Sequence, residues 1–118
     1  MTGRCLCGGV HFELVPPVRD IVVCHCSLCR RSGTFAGAYT AVERDGLRLS
    51  SAETLAWYVD VNGRNRGFCA RCGSTLFWVS EGDSTISVSA GALDRPTGLA
   101  VERHIFMADV ADWERAPD

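Results

Sequence analysis

The chain has 118 residues, 47% of them hydrophobic and 22% charged, with a formal net charge of −2. That length suits a single domain over 1–118, and a weakly acidic chain with scattered arginines lacks the basic stripe that nucleic acid requires. No apolar stretch approaches the ~20 residues needed to cross a bilayer, no lipidation pattern is present, and Met1-Thr2-Gly3-Arg4 is no start for a signal peptide, so a soluble cytoplasmic protein is expected.

Apolar residues alternate over short lengths, and Gly, Asp, Asn or Ser interrupts them at intervals that suit strands, so the chain reads as mainly β. Strands are predicted at Gly9 to Leu14 and Asp20 to Val23, with Pro16-Pro17 halting regular structure between them. Ser27 to Arg31 is the one predicted helical turn, because the spacing of Cys26 and Cys29 brings both sulfurs to one side of it. Further strands follow at Thr34 to Val42, Leu47 to Ser50, Thr54 to Val61, Gly67 to Phe68, Thr75 to Val79, Thr85 to Ser89 and Glu102 to Met107. Asp45-Gly46 and Asn62-Gly63 are hairpin signals, since glycine accepts positive φ, and the whole reads as a meandering antiparallel sheet. The tail after Trp113 is expected to fray. Phe35, Tyr39, Trp57, Tyr58, Phe68, Phe77, Trp78 and Phe106 are expected mostly to fill the core, with Trp57 or Tyr58 a candidate to line a cleft.

Seven cysteines fall in three clusters: Cys5 and Cys7; Cys24, Cys26 and Cys29; Cys69 and Cys72. Close pairs separated by long stretches are how thiolates are delivered to a tetrahedral metal such as zinc, each pair gripping one edge. A disulfide framework fits poorly, because the count is odd, a reducing compartment is expected, and Cys5 and Cys7 would share one strand face. Seven divides as four plus three. Cys5 and Cys7 with the Cys69-x-x-Cys72-Gly73 turn are assigned to a closed, structural zinc, Gly73 supplying the left-handed backbone that such turns often need. Its removal is expected to loosen or unfold the protein.

Cys24, Cys26 and Cys29 occupy three corners of a second tetrahedron, and no eighth cysteine exists for the fourth. Either that corner is open to a substrate, or His25 or His104 closes it. His25 lies between two ligands and should point away from them in an extended segment, whereas His104 is free to approach from another strand. With the corner open, three thiolates leave the complex net negative, which favours sulfur chemistry over strong carbonyl polarisation. Arg30 and Arg31 follow this cluster, while Arg64, Arg66 and Arg71 precede or adjoin the other in sequence. Each is either solvated or available to offset charge or to hold a substrate carboxylate.

Cys5-Leu-Cys7-Gly-Gly-Val10, Cys24-His-Cys26-Ser-Leu-Cys29-Arg-Arg-Ser-Gly33, Phe68-Cys-Ala-Arg-Cys72-Gly-Ser-Thr-Leu-Phe77, Ser89-Ala-Gly-Ala-Leu-Asp94 and His104-Ile-Phe106 together resemble the glutathione-dependent formaldehyde-activating enzyme family, related to centromere protein V. The resemblance spans nearly the whole chain. It implies a zinc-stabilised β-tent of stacked antiparallel sheets, a structural zinc on Cys5, Cys7, Cys69 and Cys72, and a catalytic zinc on Cys24, Cys26 and Cys29. The implied activity is that of a carbon-sulfur lyase acting on a thiol/aldehyde adduct, with glutathione and formaldehyde as the small-molecule partners. In that reaction His25 or His104 is the expected proton donor. The family's longer members carry extra segments, so their glutathione pocket does not transfer to this chain residue by residue. Two other readings stand beside it: a zinc-stabilised binding module without turnover, and a redox sensor that releases metal on oxidation.

Overall fold

The computed structural model describes residues 1–114. In chain order its elements are β1 (Thr2–Arg4), β2 (Val10–Leu14), β3 (Ile21–Cys24), α1 (Ser27–Gly33), β4 (Gly37–Glu43), β5 (Leu47–Ala52), β6 (Leu55–Val59), β7 (Asn65–Cys69), β8 (Thr75–Val79), β9 (Thr85–Ser89) and β10 (Val101–Ile105). They form a three-stranded sheet in the order β1-β2-β5 and a seven-stranded sheet in the order β10-β3-β4-β9-β8-β7-β6. The protein is mainly β, as the sequence predicts, with two sheets, as the family resemblance implies.

Alternation decides which faces meet. In β2, Val10, Phe12 and Leu14 are buried while His11 and Glu13 point outward; in β8, Leu76, Phe77 and Val79 are buried. The two sheets join where the Phe12 ring meets Phe77 edge-on, with centroids 5.4 Å apart. Val42, Ile86 and Val88 from β4 and β9 complete this core, and Cys5 and Cys69 belong to it. Burying one such side chain fully stabilises the fold by about 1.5–3 kcal/mol, which makes Phe12 and Phe77 its principal anchors.

Three sequence expectations need correction. The Asp45-Gly46 signal marks a 3-10 turn over Arg44–Gly46, not a hairpin. Both edges of β4 are already taken by β3 and β9, so β5 crosses to pair with β2 in the other sheet. The pairing is not wholly antiparallel, because β10 runs parallel to β3, with His104 opposite Val23 and Ile105 opposite Cys24. Thirdly, only Tyr39 and Phe77 of the eight aromatics expected in the core are buried; Phe35, Trp57, Tyr58 and Phe106 are exposed. Trp57 and Tyr58 lie on β6, an edge strand, which leaves them uncovered. The Asn62-Gly63 hairpin joins β6 to β7 as predicted, with Gly63 at φ 76°. The short strand β1 carries too little pattern to be read from sequence.

The expected frayed tail begins beyond Trp113, and of it residues 115–118 lie outside the described residues. Glu114 is placed, with its side chain buried.

Candidate metal centres and the adjoining pocket

Cys5 follows β1, Cys7 lies in the turn before β2, Cys69 ends β7 and Cys72 lies in the turn before β8. Their four sulfurs lie within 4.8 Å of one another. Four sulfurs at about 2.3 Å from one zinc sit about 3.8 Å apart, and the Cys5–Cys7 and Cys7–Cys69 separations of 3.7 and 3.6 Å match that edge. The surrounding donors suit thiolates. Val10 N–H donates to Cys5 Sγ at 3.3 Å, Cys72 N–H donates to Cys69 Sγ at 3.3 Å, and the Thr54 hydroxyl lies 3.1 Å from Cys69 Sγ. The Ser74 hydroxyl lies 3.1 Å from Cys72 Sγ and pulls that thiol down to about 5. Gly73, at φ 79°, turns the chain so that these contacts form.

The second cluster forms where β3 runs into α1. Cys24 ends the strand, Cys26 is the residue that caps the helix, and Cys29 lies in its first turn, with the three sulfurs within 4.8 Å. The cap is a thiol: Cys29 N–H donates to Cys26 Sγ at 3.3 Å, so the helix start itself holds two of the sulfurs together. Helix α1 ends at Thr34, whose φ of 74° breaks the helical path, and Arg30 and Arg31 occupy its last turn. Hydrogen bonding from Cys29 pulls the Cys24 thiol down to about 6, against the opposing effect of burial, while the same contact with Cys24, helped by burial, pushes Cys29 well up. Gly37 lies opposite Cys24 on β4, and a Cβ there would collide with the Tyr39 ring and crowd Cys29 Sγ at 3.2 Å. Among the described residues this donor cluster contains the three thiols alone, and either group of sulfurs could hold a metal ion.

The two histidines turn away from the sulfurs. His25 is 3% exposed; its Nδ1 lies 3.0 Å from a Glu114 carboxylate oxygen and its Nε2 lies 2.9 Å from His104 Nδ1. Phe35 packs edge-on against His25 and also touches Trp113. The result is a Glu114–His25–His104 brace that ties the C-terminal segment and β10 to the turn between Cys24 and Cys26. Sequence reasoning missed Glu114, which carries no local signal for a contact with a residue 89 positions upstream.

On the sulfur side of that turn lies a cavity of about 440 Å³, within the size range of sites for small ligands. Cys24, Cys26 and Cys29 line it together with Tyr39, Trp78 and four arginines, Arg19, Arg64, Arg66 and Arg103; neither His25 nor His104 does. Arg64 and Arg66, which precede Cys69 in sequence, thus face the other cluster. Burial, the leading cause, pushes the Tyr39 phenol up to about 12 and keeps it protonated. A second cleft of about 610 Å³ lies beside Cys5, Tyr39 and Leu93. No helix among the described residues is long and apolar enough to cross a membrane.

A two-sheet β fold bearing one four-thiol and one three-thiol cluster, each able to hold a metal ion, defines a class of cysteine-clustered β proteins. Within it, the family model described as glutathione-dependent formaldehyde-activating enzyme matches residues 1–109, and the chain belongs to that family. A Halomonas elongata protein provisionally named as a glutathione-dependent formaldehyde-activating enzyme is 30% identical over 125 residues, covering 96% of this chain and 78% of the relative. An uncharacterised lyase of Schizosaccharomyces pombe is also 30% identical, over 93% of this chain and 80% of its own length. A crystal structure of a Rhodobacter sphaeroides protein superposes with a TM-score of 0.69 at 26% identity, covering 88% of this chain and 99% of that one.

Proposed function

We propose that the protein, as a single domain over 1–118, is a zinc-dependent carbon-sulfur lyase that makes and breaks the adduct of a thiol with a small aldehyde, glutathione and formaldehyde being the family's pair. The observation that carries this reading is the contrast between four sulfurs gathered from distant parts of the chain, two of them in the core, and three from one turn that face a cavity large enough for a small thiol. In this reading Cys5, Cys7, Cys69 and Cys72 hold a structural zinc, and Cys24, Cys26 and Cys29 hold a second, reactive zinc. Zinc at the second site supplies a Lewis acid that keeps a bound thiol in its nucleophilic thiolate form. Both donor sets fit that ion in type, and the four-sulfur set fits it in spacing as well.

The chain's own residues supply orientation and proton control. Cys24, Cys26 and Cys29 fix where the substrate sulfur comes to rest, and the cavity wall holds the aldehyde carbon against it. As the carbon-sulfur bond forms, the carbonyl π pair moves to oxygen, which takes up one proton to become the hydroxyl; the reverse step returns that proton and breaks the bond. Tyr39, held protonated and facing the same cavity, donates a hydrogen bond to that oxygen. His25 and His104 act from behind, as positioning residues that hold the strand-to-helix turn. The uncatalysed addition is itself easy, so most of the gain comes from thiolate fraction and alignment.

The test is the rate of adduct formation and breakdown with formaldehyde and glutathione, for the wild type and for Cys24→Ser, with zinc content measured on both. The wild type is expected to accelerate both directions, and Cys24→Ser to lose at least ~100-fold of that acceleration together with about one zinc per chain. A wild type that leaves the adduct rate at the uncatalysed value overturns the lyase reading and favours a binding module.

A further inference from the structure

Asp60 sits at the tip of the β6–β7 hairpin and is 7% exposed, an uncommon place for a carboxylate. Three donors converge on it. The backbone N–H groups of Asn62 and Arg64 reach Oδ1 at 2.9 and 3.1 Å, and Arg66 Nε reaches Oδ2 at 2.9 Å. The pair is therefore held rigidly from behind, with the Arg66 side chain 11% exposed and its guanidinium fixed in one orientation. Here Arg66 Nη1 is buried without a hydrogen-bond acceptor among the described residues, and so is Arg64 Nε. Both arginines line the cavity at Cys24, Cys26 and Cys29, and Arg64 is itself fixed, its guanidinium carbon 5.2 Å from the centre of the Trp78 ring.

The remaining charges on the wall point the same way. Arg19 is engaged by backbone carbonyls of Asp20 and Tyr39. Arg103 adds a fourth cation, and Asp109 is the single carboxylate on the lining. A cavity with a cationic excess, walled by two fixed arginines whose guanidinium groups the protein does not fully satisfy, suits an anionic ligand, and a carboxylate is the anion a guanidinium binds well.

We propose that Arg66, oriented by Asp60 and assisted by Arg64, is the specificity-determining seat for the carboxylate of the thiol substrate, so that the site selects thiols bearing a carboxylate over neutral thiols. This rests on the reading that Cys24, Cys26 and Cys29 receive the thiol, and it adds which thiols are admitted.

The test compares 3-mercaptopropionate with 3-mercaptopropionamide, and with propionate as a carboxylate lacking sulfur, in calorimetric titrations of the metal-containing protein. The wild type should bind the acid at least ~10-fold more tightly than the amide. In Arg66→Met that ratio should fall to about one, with amide affinity and zinc content close to wild type and a lowered melting temperature, because the buried pair with Asp60 is broken. Should Arg66→Met fail to fold, Arg66→Lys, which keeps the charge but loses the fork, should still cut the ratio several-fold. In the wild type, the arginine side-chain Nε–Hε resonances of Arg64 and Arg66 should move with the acid and stay still with the amide.

Equal binding of acid and amide, an unchanged ratio in Arg66→Met, or unmoved arginine signals at saturating acid would overturn the seat. The two readings separate cleanly. Arg66-dependent binding of propionate with no acceleration of adduct formation leaves the seat standing and removes the lyase. Acceleration with acid and amide thiols treated alike keeps the lyase and removes the seat.

Discussion

The four-sulfur and three-sulfur clusters use the same donor atom and differ in everything around it. Cys5 and Cys69 belong to the core that Phe12 and Phe77 build, and the cluster links residues 62 positions apart across the junction of the two sheets. Cys24, Cys26 and Cys29 instead hang on one strand-to-helix turn, contributed by six consecutive residues, and face a cavity. In the proposed reading, what distinguishes the structural from the reactive centre is thus which side of the sulfurs the protein fills. The first cluster closes a long loop, with the entropic gain that brings; the second closes almost none.

The sharpest way to break this comparison is to remove one sulfur from each. Cys69→Ser is expected to abolish cooperative thermal unfolding, because metal at a structural site contributes on the order of 10 kcal/mol, as much as the net stability of a whole domain. Cys24→Ser should cost far less, since its cluster comes from six consecutive residues that can also gather on metal in the unfolded chain. Calorimetric melts with metal analysis read both, and equal losses would erase the distinction.

Asp60→Asn should come next in size. It breaks a buried pair and leaves Arg66 uncompensated, at a cost of about 3 kcal/mol near neutral pH in urea titrations. Burial opposes ionisation of Asp60, yet the hydrogen bonds from Arg66 and from the backbone of Arg64 and Asn62 hold its carboxyl below the ordinary 3.8. A depressed carboxyl stabilises the fold above its unfolded value, and that stabilisation is lost as pH falls through the folded one. The gap between wild type and Asp60→Asn should therefore be full above pH 3.8 and narrow below it; a pH-independent gap would show that the charge is not involved.

The smallest expected effect sharpens the contrast from the other side of the turn. Glu114→Gln weakens the charge-assisted contact to His25 and should cost about 1 kcal/mol, with the four-sulfur centre untouched. If it also lowers metal retention at Cys24, Cys26 and Cys29, the brace sets the geometry of those sulfurs; metal analysis after mild chelation gives the answer.

The cysteine clusters were legible because their donors come in local groups whose spacing carries the geometry, and the β character because burial alternates residue by residue. What the sequence hid is set by register and by distant pairing. Arg64 and Arg66 precede Cys69 and read as its neighbours, but the register of β7 and the hairpin turn at Asp60 aim them at the other cluster. The Asp45-Gly46 turn has hairpin residues and no hairpin, since β4 has no free edge to offer. Strand β6 is apolar throughout, as a strand covered on both faces would be, yet nothing in that pattern says the strand lies at an edge. The parallel pairing of β10 with β3 leaves no local mark at all.

That last pairing has a consequence for how the molecule comes into being. His104 reaches His25 from 79 positions downstream. At roughly 5–20 residues per second, a ribosome needs several seconds to deliver it after Cys24, Cys26 and Cys29 have left the exit tunnel. Throughout that interval β3 has an open flank and its thiols meet the surrounding solution without their final support, whereas the other cluster is complete once Cys72 emerges. The nascent chain therefore completes the four-sulfur cluster first and leaves Cys24, Cys26 and Cys29 longest exposed to oxidants.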